Sequence, residues 1–162
     1  MIVAVLSDCH DHLDQVRKAL DAIRDASMAL YCGDYCAPFT LKALAEGFRG
    51  QWHSVFGNND GDPFLLATAA KEAGNVTFHQ PFIDIEIDGR RVAAAHYPQV
   101  GEALALSGRY AAVFSGHVHI AHSRLVGSTL WASPGEVMGR LGKPSLGLYD
   151  TRQNQFELRD LR

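Results

Sequence analysis

Ala112-Val113-Phe114-Ser115-Gly116-His117-Val118-His119 is the stretch on which the reading of this chain turns. Four apolar or small residues end at a glycine, too short a run for a helix and bounded as a buried strand is bounded. Beyond the glycine, two imidazoles follow with one residue between them. If the run is a strand, His117 and His119 stand at the carboxyl edge of a sheet, where open α/β sheets hold their ligands. Imidazole is the commonest metal ligand, and two rings on one short turn can serve one ion or two adjacent ions. A His-x-His pair also recurs by chance, so taken alone it leaves a solvated or core-capping role equally open.

The neighbouring runs end in the same way. Ile2-Val3-Ala4-Val5-Leu6 is continuous and β-branched, as in a strand buried on both faces, and it runs into Ser7-Asp8-Cys9-His10-Asp11-His12. Leu13, Val16, Leu20 and Ile23 then recur at helical spacing, with Asp11 as the expected N-cap. Met28 to Cys32 is a second run, closed by Gly33-Asp34, and Pro38 can open the next helix. Trp52 to Phe56 is a third, closed by Gly57-Asn58-Asn59-Asp60-Gly61, and Asp62-Pro63 starts a helix that Gly74 stops. Thereafter Ile83, Ile85 and Ile87 alternate with acids up to the hairpin turn Asp88-Gly89, and the return strand ends at His96. A short helix is expected from about Glu102 to Ser107. Two more hairpins should follow, one around Gly127-Ser128 and one joining Leu146–Tyr149 to Phe156–Leu158. A βαβαβα front half and a hairpin-rich back half imply one α/β domain over 1–162, two packed sheets with helices outside.

Asp8, His10, Asp34, Asn58, His96, His117 and His119 therefore all sit just past expected strands. A carboxylate, amide and imidazole set without thiolate suits Mn²⁺, Fe, Zn²⁺ or Ni²⁺, and Mn²⁺ is the ion expected. Seven donors exceed one tetrahedral site, and two metals about 3.5–4 Å apart sharing a carboxylate would use them all.

The order Asp-x-His, Gly-Asp, Gly-Asn-x-Asp, His, Gly-His-x-His resembles the calcineurin-like metallophosphoesterase superfamily. Ser7 to Leu13, Gly57 to Gly61 and Ser133-Pro134-Gly135-Glu136 are similar, more narrowly, to its short stand-alone bacterial and archaeal phosphodiesterases. The resemblance runs from the first strand to about Tyr149. It implies two facing mixed β-sheets flanked by helices, a four-layer sandwich. It also implies a binuclear metal centre. Asp8, His10, Asp34 and His119 would hold one metal, and Asp34, Asn58, His96 and His117 the other. It implies hydrolysis of phosphate esters, diesters favoured, by a metal-bound hydroxide. Two ligand carboxylates against two divalent ions leave a site of about +2, or about +1 with a bridging hydroxide, enough to attract a phosphate ester despite an acidic chain. Asn59 and Asp60 fall where the superfamily places leaving-group chemistry, with Asn58 and His12 as expected substrate contacts. There are two departures. Asn59 stands where relatives often have histidine, so it has no titratable proton, and His96-Tyr97-Pro98 replaces the more usual His-Gly-His.

The other readings of this sequence are a non-catalytic interaction scaffold on the same fold and a nuclease. Of 162 residues, 47% are hydrophobic and 20% charged, and the net charge of −3 offers no Lys/Arg stripe for nucleic acid. The expected partner is a small phosphorylated substrate, with no membrane; the oligomeric state, a homo-oligomer included, stays open. The N-terminal apolar run lacks a basic flank and reads as a strand, and no run reaches the roughly 20 residues of a membrane span. Three cysteines without a disulfide-framework pattern point to a reducing cytoplasm. Cys9, Cys32 and Cys36 read as packing residues, and His53, His79 and His122 as surface or core-edge residues.

Overall fold

The computed structural model describes residues 1–162. The front half builds β1 (Ile2–Leu6), α1 (Leu13–Ala22), β2 (Met28–Tyr31), α2 (Pro38–Gly47), β3 (Gln51–Ser54), α3 (Pro63–Ala73) and β4 (Val76–Phe78). The back half builds β5 (Ile83–Ile87), β6 (Arg90–Ala95), α4 (Pro98–Leu106), β7 (Ala112–Ser115), β8 (His122–Val126), β9 (Thr129–Ser133), β10 (Ser145–Asp150) and β11 (Gln155–Asp160). They form a six-stranded sheet, β11-β10-β1-β2-β3-β4, and a five-stranded sheet, β5-β6-β7-β9-β8. Both are mixed. β1 to β4 run parallel, β10 lies antiparallel to β1 and β11 antiparallel to β10, and β6, β7 and β9 run parallel with a hairpin partner at each edge.

Strand alternation explains the layers. Val3, Val5 and Leu30 on one sheet face Ile83, Val92, Phe114 and Leu130 on the other, forming the core between the sheets. Phe114 is fully buried and meets Tyr149 edge-on with ring centroids 5.3 Å apart; burying a ring of this size contributes about 1.5–3 kcal/mol. The opposite residues of the same strands, Ala4, Leu6, Ala29 and Tyr31, pack under α1, α2 and α3. On the far side Ala93, Val113 and Trp131 pack under α4 through Ala105. Two mixed sheets between helices make the expected four-layer architecture.

Two local expectations are corrected and one strand is added. Asp11 does not cap α1; His12 is the N-cap residue, its Nδ1 accepting from the Gln15 amide at 3.4 Å. Asp11 adopts φ +59° and its carboxylate instead accepts from the Ala37 amide, at 3.0 Å, and from the Thr40 hydroxyl. It thus closes the N-terminus of α2, whose own cap residue, Ala37, has no side-chain acceptor. The fourth helix starts at Pro98, because a proline whose missing N–H costs nothing at the first turn opens it ahead of Glu102. The short β4 adds a parallel edge strand beside β3 that the sequence pattern did not indicate. No helix is long and apolar enough to cross a membrane.

Candidate metal centre

Each of the seven candidate ligands follows the carboxyl end of a strand. β1, β2 and β3 deliver Asp8 and His10, Asp34, and Asn58; β6 and β7 deliver His96, and His117 and His119. The site therefore lies on the seam between the two sheets. Five of the seven, Asp8 (φ +57°), His10 (+42°), Asp34 (+65°), His117 (+74°) and His119 (+62°), hold left-handed backbone conformations. Such conformations cost of order 1–3 kcal/mol each outside glycine and persist where surrounding contacts over-determine them. Here those contacts are visible.

The loops approach so closely that side chains are excluded between them. A Cβ on Gly57 would stand 2.1 Å from Asp34 Oδ1, and one on Gly116 would stand 2.0 Å from Ser7 Oγ. The glycines of the Gly-Asn and Gly-His motifs are thus clearance for the neighbouring acidic loop.

Asp60 supplies the fixing contacts at Asp34. Its Oδ1 accepts from the Tyr35 and Cys36 amides at 2.6 and 3.0 Å, and its Oδ2 from the Gly57 and Asp34 amides at 2.7 and 3.2 Å. Burial pushes the Asp60 carboxyl up from its ordinary value, against the opposing pull of those amides. With both oxygens occupied by four backbone N–H groups, Asp60 clamps the β2 and β3 loops together and has no lone pair to spare for a neighbour. Asn59 also turns toward Asp34, its backbone N–H to Oδ1 at 2.8 Å and its side-chain Nδ2 to Oδ2 at 2.9 Å.

The remaining lone pairs converge. Asp8 is fully buried; its Oδ2 accepts from the Ser7 hydroxyl and from the His117 amide at 3.0 Å, while its Oδ1 has no partner. That orphaned oxygen faces His10 Nε2 at 3.6 Å, itself without a partner, and His119 Nε2 at 3.5 Å. Asp34 Oδ2 lies 3.6 Å from both His10 Nε2 and His96 Nε2. His96 Nδ1 donates to the Cys32 carbonyl at 2.7 Å, which leaves the neutral ring a lone pair at Nε2, 2.8 Å from Asn58 Oδ1. Acceptors aimed at one another inside a protein are expensive unless a cation lies among them. The donor set fits divalent metals on this ground, with no thiolate at the centre.

Two triads have ligand atoms within 4.8 Å of one another: Asp8, His10 and His119, and Asp8, Asp34 and His96. They intersect at Asp8, whereas the resemblance makes Asp34 the bridge. Asn58 adjoins the second triad through His96. The His117 ring stands edge-on to His96 and to Tyr97, centroids 5.0 and 4.9 Å away. Burial raises the Asp8 carboxyl, but His10 and the Ser7 hydroxyl outweigh it and hold it below the ordinary range. Conversely, the Asp8 carboxylate holds the His10 imidazole above its ordinary value.

His12 lies at the rim, in a solvent-open cleft of about 510 Å³ that His10, Arg17, Met138 and Arg140 also line. A larger cavity of about 760 Å³ opens at the other end of β1, by Ile2 and Asp150, and contains none of the seven residues.

Several contacts were not assigned from the sequence. Glu136 is fully buried with its Oε2 2.6 Å from His119 Nδ1; the available signal was a carboxylate alone among Gly135, Val137 and Met138. Cys36 Sγ lies 3.4 Å from His10 Nδ1, and burial, with nearby carboxylates, pushes its thiol up to about 12. Cys9 turns into the core, where the Tyr31 hydroxyl donates to its sulfur at 2.7 Å. His53 and His79 meet each other, Nδ1 to Nε2 at 2.8 Å, away from the centre.

Residues 1–154 match the model of the calcineurin-like phosphoesterase superfamily domain, and the chain belongs to that superfamily. It is 32% identical over 161 residues to a phosphodiesterase of Methanocaldococcus jannaschii, with 96% of each chain covered. Among solved structures it is similar to an archaeal phosphodiesterase, with TM-score 0.91, 30% identity and 99% of both chains covered. It shares its fold with Chaetomium thermophilum Vps29, with TM-score 0.76, 17% identity, and 100% of this chain and 86% of that one covered.

Proposed function

We propose that this chain is a binuclear metallophosphoesterase that hydrolyses phosphate diesters, with Mn²⁺ as its preferred ion. The observation that carries the reading is the convergence of unpartnered lone pairs at Asp8 Oδ1 and His10 Nε2, with Nε2 of His119 and His96 alongside. Asp8, His10, Asp34 and His119 would hold one ion, and Asp34, Asn58, His96 and His117 the other. When bound, the ions would supply Lewis acidity at the phosphoryl oxygens and acidify the attacking water. The chain itself fixes the ligands before substrate arrives. Ser7 and the His117 amide orient Asp8, Cys32 fixes the His96 tautomer, and Asp60 and Asn59 hold Asp34. Such preorganisation avoids a reorganisation cost during the reaction.

The cleft beside His10 would receive the ester, with His12, Arg17 and Arg140 along its walls. Asn59 has no proton to give a departing oxygen, so aryl diesters should react faster than alkyl ones unless His12 supplies that proton. A full set of ligand positions argues against the non-catalytic scaffold, and the absence of a basic stripe argues against a nuclease. The similarity to phosphodiesterases at 30–32% identity supports the preference for diesters.

The test is a metal-reconstituted screen on aryl monoesters, aryl diesters and nucleotides, alongside elemental analysis. Chelation should abolish aryl diester hydrolysis and Mn²⁺ should restore it, with two ions per chain at saturation. Asp34→Asn should lose both ions and His10→Ala mainly one. Saturation at a single ion, or equal single-ion losses in both variants, would overturn the ligand assignment.

A further inference from the structure

We propose that Glu136 is a positioning residue that fixes the tautomer of His119 and ties the adjoining cleft wall to the same imidazole. This inference rests on the reading of His119 as a metal ligand. Glu136 follows β9 in Gly135-Glu136-Val137-Met138 and is completely buried. A carboxylate there is retained only if its lone pairs are used. They are used. Oε1 accepts from the Leu141 amide at 2.7 Å and from the Gly142 amide, and Oε2 lies 2.6 Å from His119 Nδ1.

An ionised carboxylate can only accept, so the proton of a neutral His119 ring sits on Nδ1 and the lone pair on Nε2. Nε2 is the atom that faces Asp8 Oδ1 at 3.5 Å. A carboxylate on the far ring nitrogen both orients a ligating histidine and raises its basicity. The second oxygen extends the effect. Leu141 and Gly142 adjoin Arg140, which lines the cleft together with His10 and His12. One buried side chain thus sets a ligand nitrogen and the backbone next to a cleft-wall guanidinium.

Glu136→Gln separates this role from simple packing. If the carboxamide oxygen stays on the two backbone amides, the NH₂ group faces His119 Nδ1. Nδ1 must then accept, the ring proton moves to Nε2, and Nε2 can no longer ligate. The opposite amide orientation sets NH₂ against two backbone N–H donors.

The test uses the full chain, ¹⁵N-labelled, metal-free, and at a pH where the ring is neutral. Long-range ¹H–¹⁵N NMR reads the His119 tautomer, and Zn²⁺ alone is titrated by calorimetry. Wild type should show the proton on Nδ1 and Glu136→Gln the proton on Nε2. The variant should bind Zn²⁺ about 10–100-fold more weakly at one site while the other site holds. A purely structural Glu136 would lower thermal stability and leave the tautomer and Zn²⁺ affinity as in wild type, and that result overturns the proposal. So does a wild-type ring protonated on Nε2. If Glu136→Gln fails to fold, the wild-type tautomer alone decides, in the same two directions. Wild type that takes up no Zn²⁺ refutes the metal-centre reading, whereas the tautomer result still judges Glu136.

Discussion

Asp60→Asn is the most informative single change, because the structure predicts its cost and supplies its own control two residues away. The carboxylate accepts four backbone amides, two on each oxygen. An asparagine keeps one acceptor oxygen, so whichever way its amide turns, two donors lose their partner and meet an NH₂ group. A buried donor left unsatisfied costs about 1–3 kcal/mol. Asp60 is only partly buried and its removed charge no longer needs desolvating, so the lower half of the range applies and the loss should be about 2–4 kcal/mol. Asp62 carries the same side chain as the N-cap of α3, accepting from the Phe64 and Leu65 amides at 2.8 and 3.2 Å through one oxygen. Asparagine caps a helix as well as aspartate does, so Asp62→Asn should change stability by no more than a few tenths of a kcal/mol. Urea unfolding of both variants without metal measures the difference. If the two fall within about 0.5 kcal/mol of each other, the four-amide clamp does not hold the loops and the explanation of the left-handed Asp34 fails.

Gly116→Ala should displace Ser7 and Asp8, since the added Cβ would lie 2.0 Å from Ser7 Oγ and 2.8 Å from Asp8 Oδ2. The expected result is a loss of about 1–3 kcal/mol in chemical denaturation together with loss of metal at the Asp8 triad; unaltered metal stoichiometry would contradict it. The His53–His79 pair should make the protein acid-sensitive. Burial lowers both imidazoles from their ordinary value, and the charge of His79 adds to the effect on His53. The unfolded chain therefore takes up protons at a higher pH than the native one. The stability the pair contributes is present above about pH 6.5 and is lost as pH falls through the depressed native values. His53→Gln should flatten this acid limb relative to wild type in unfolding measured across about pH 5–7.5, and parallel curves would reject it.

Much of the centre was readable because it depends on position along strands. Apolar runs ending at glycine located β2, β3 and β7, runs ending directly at a donor stretch located β1 and β6, and the donors beyond them fell at one end of the sandwich because parallel strands present their carboxyl ends together. What depends on pairing across the chain was not readable. β4 is three residues long, too short to show a period, and exists through its parallel register with β3. That same register brings His79 to His53, two histidines with nothing between them in sequence to suggest contact. Asp11 looked like the cap of the helix that follows it and serves the next helix instead, a choice made by the left-handed turn at Asp11 itself. The sequence places Asp60 with leaving-group chemistry and gives Glu136 no role; only the folded loops reveal that backbone amides hold both carboxylates.

The centre draws Asp8, His10, Asp34 and Asn58 from one sheet and His96, His117 and His119 from the other. Ions held there would act as rivets across the seam of the sandwich, and the unfolded chain offers no such seven-donor cage. A ligand selective for the native state stabilises it by about 2.7 kcal/mol at one hundred times its dissociation constant. Ion supply would then set how long the protein survives as well as how fast it works.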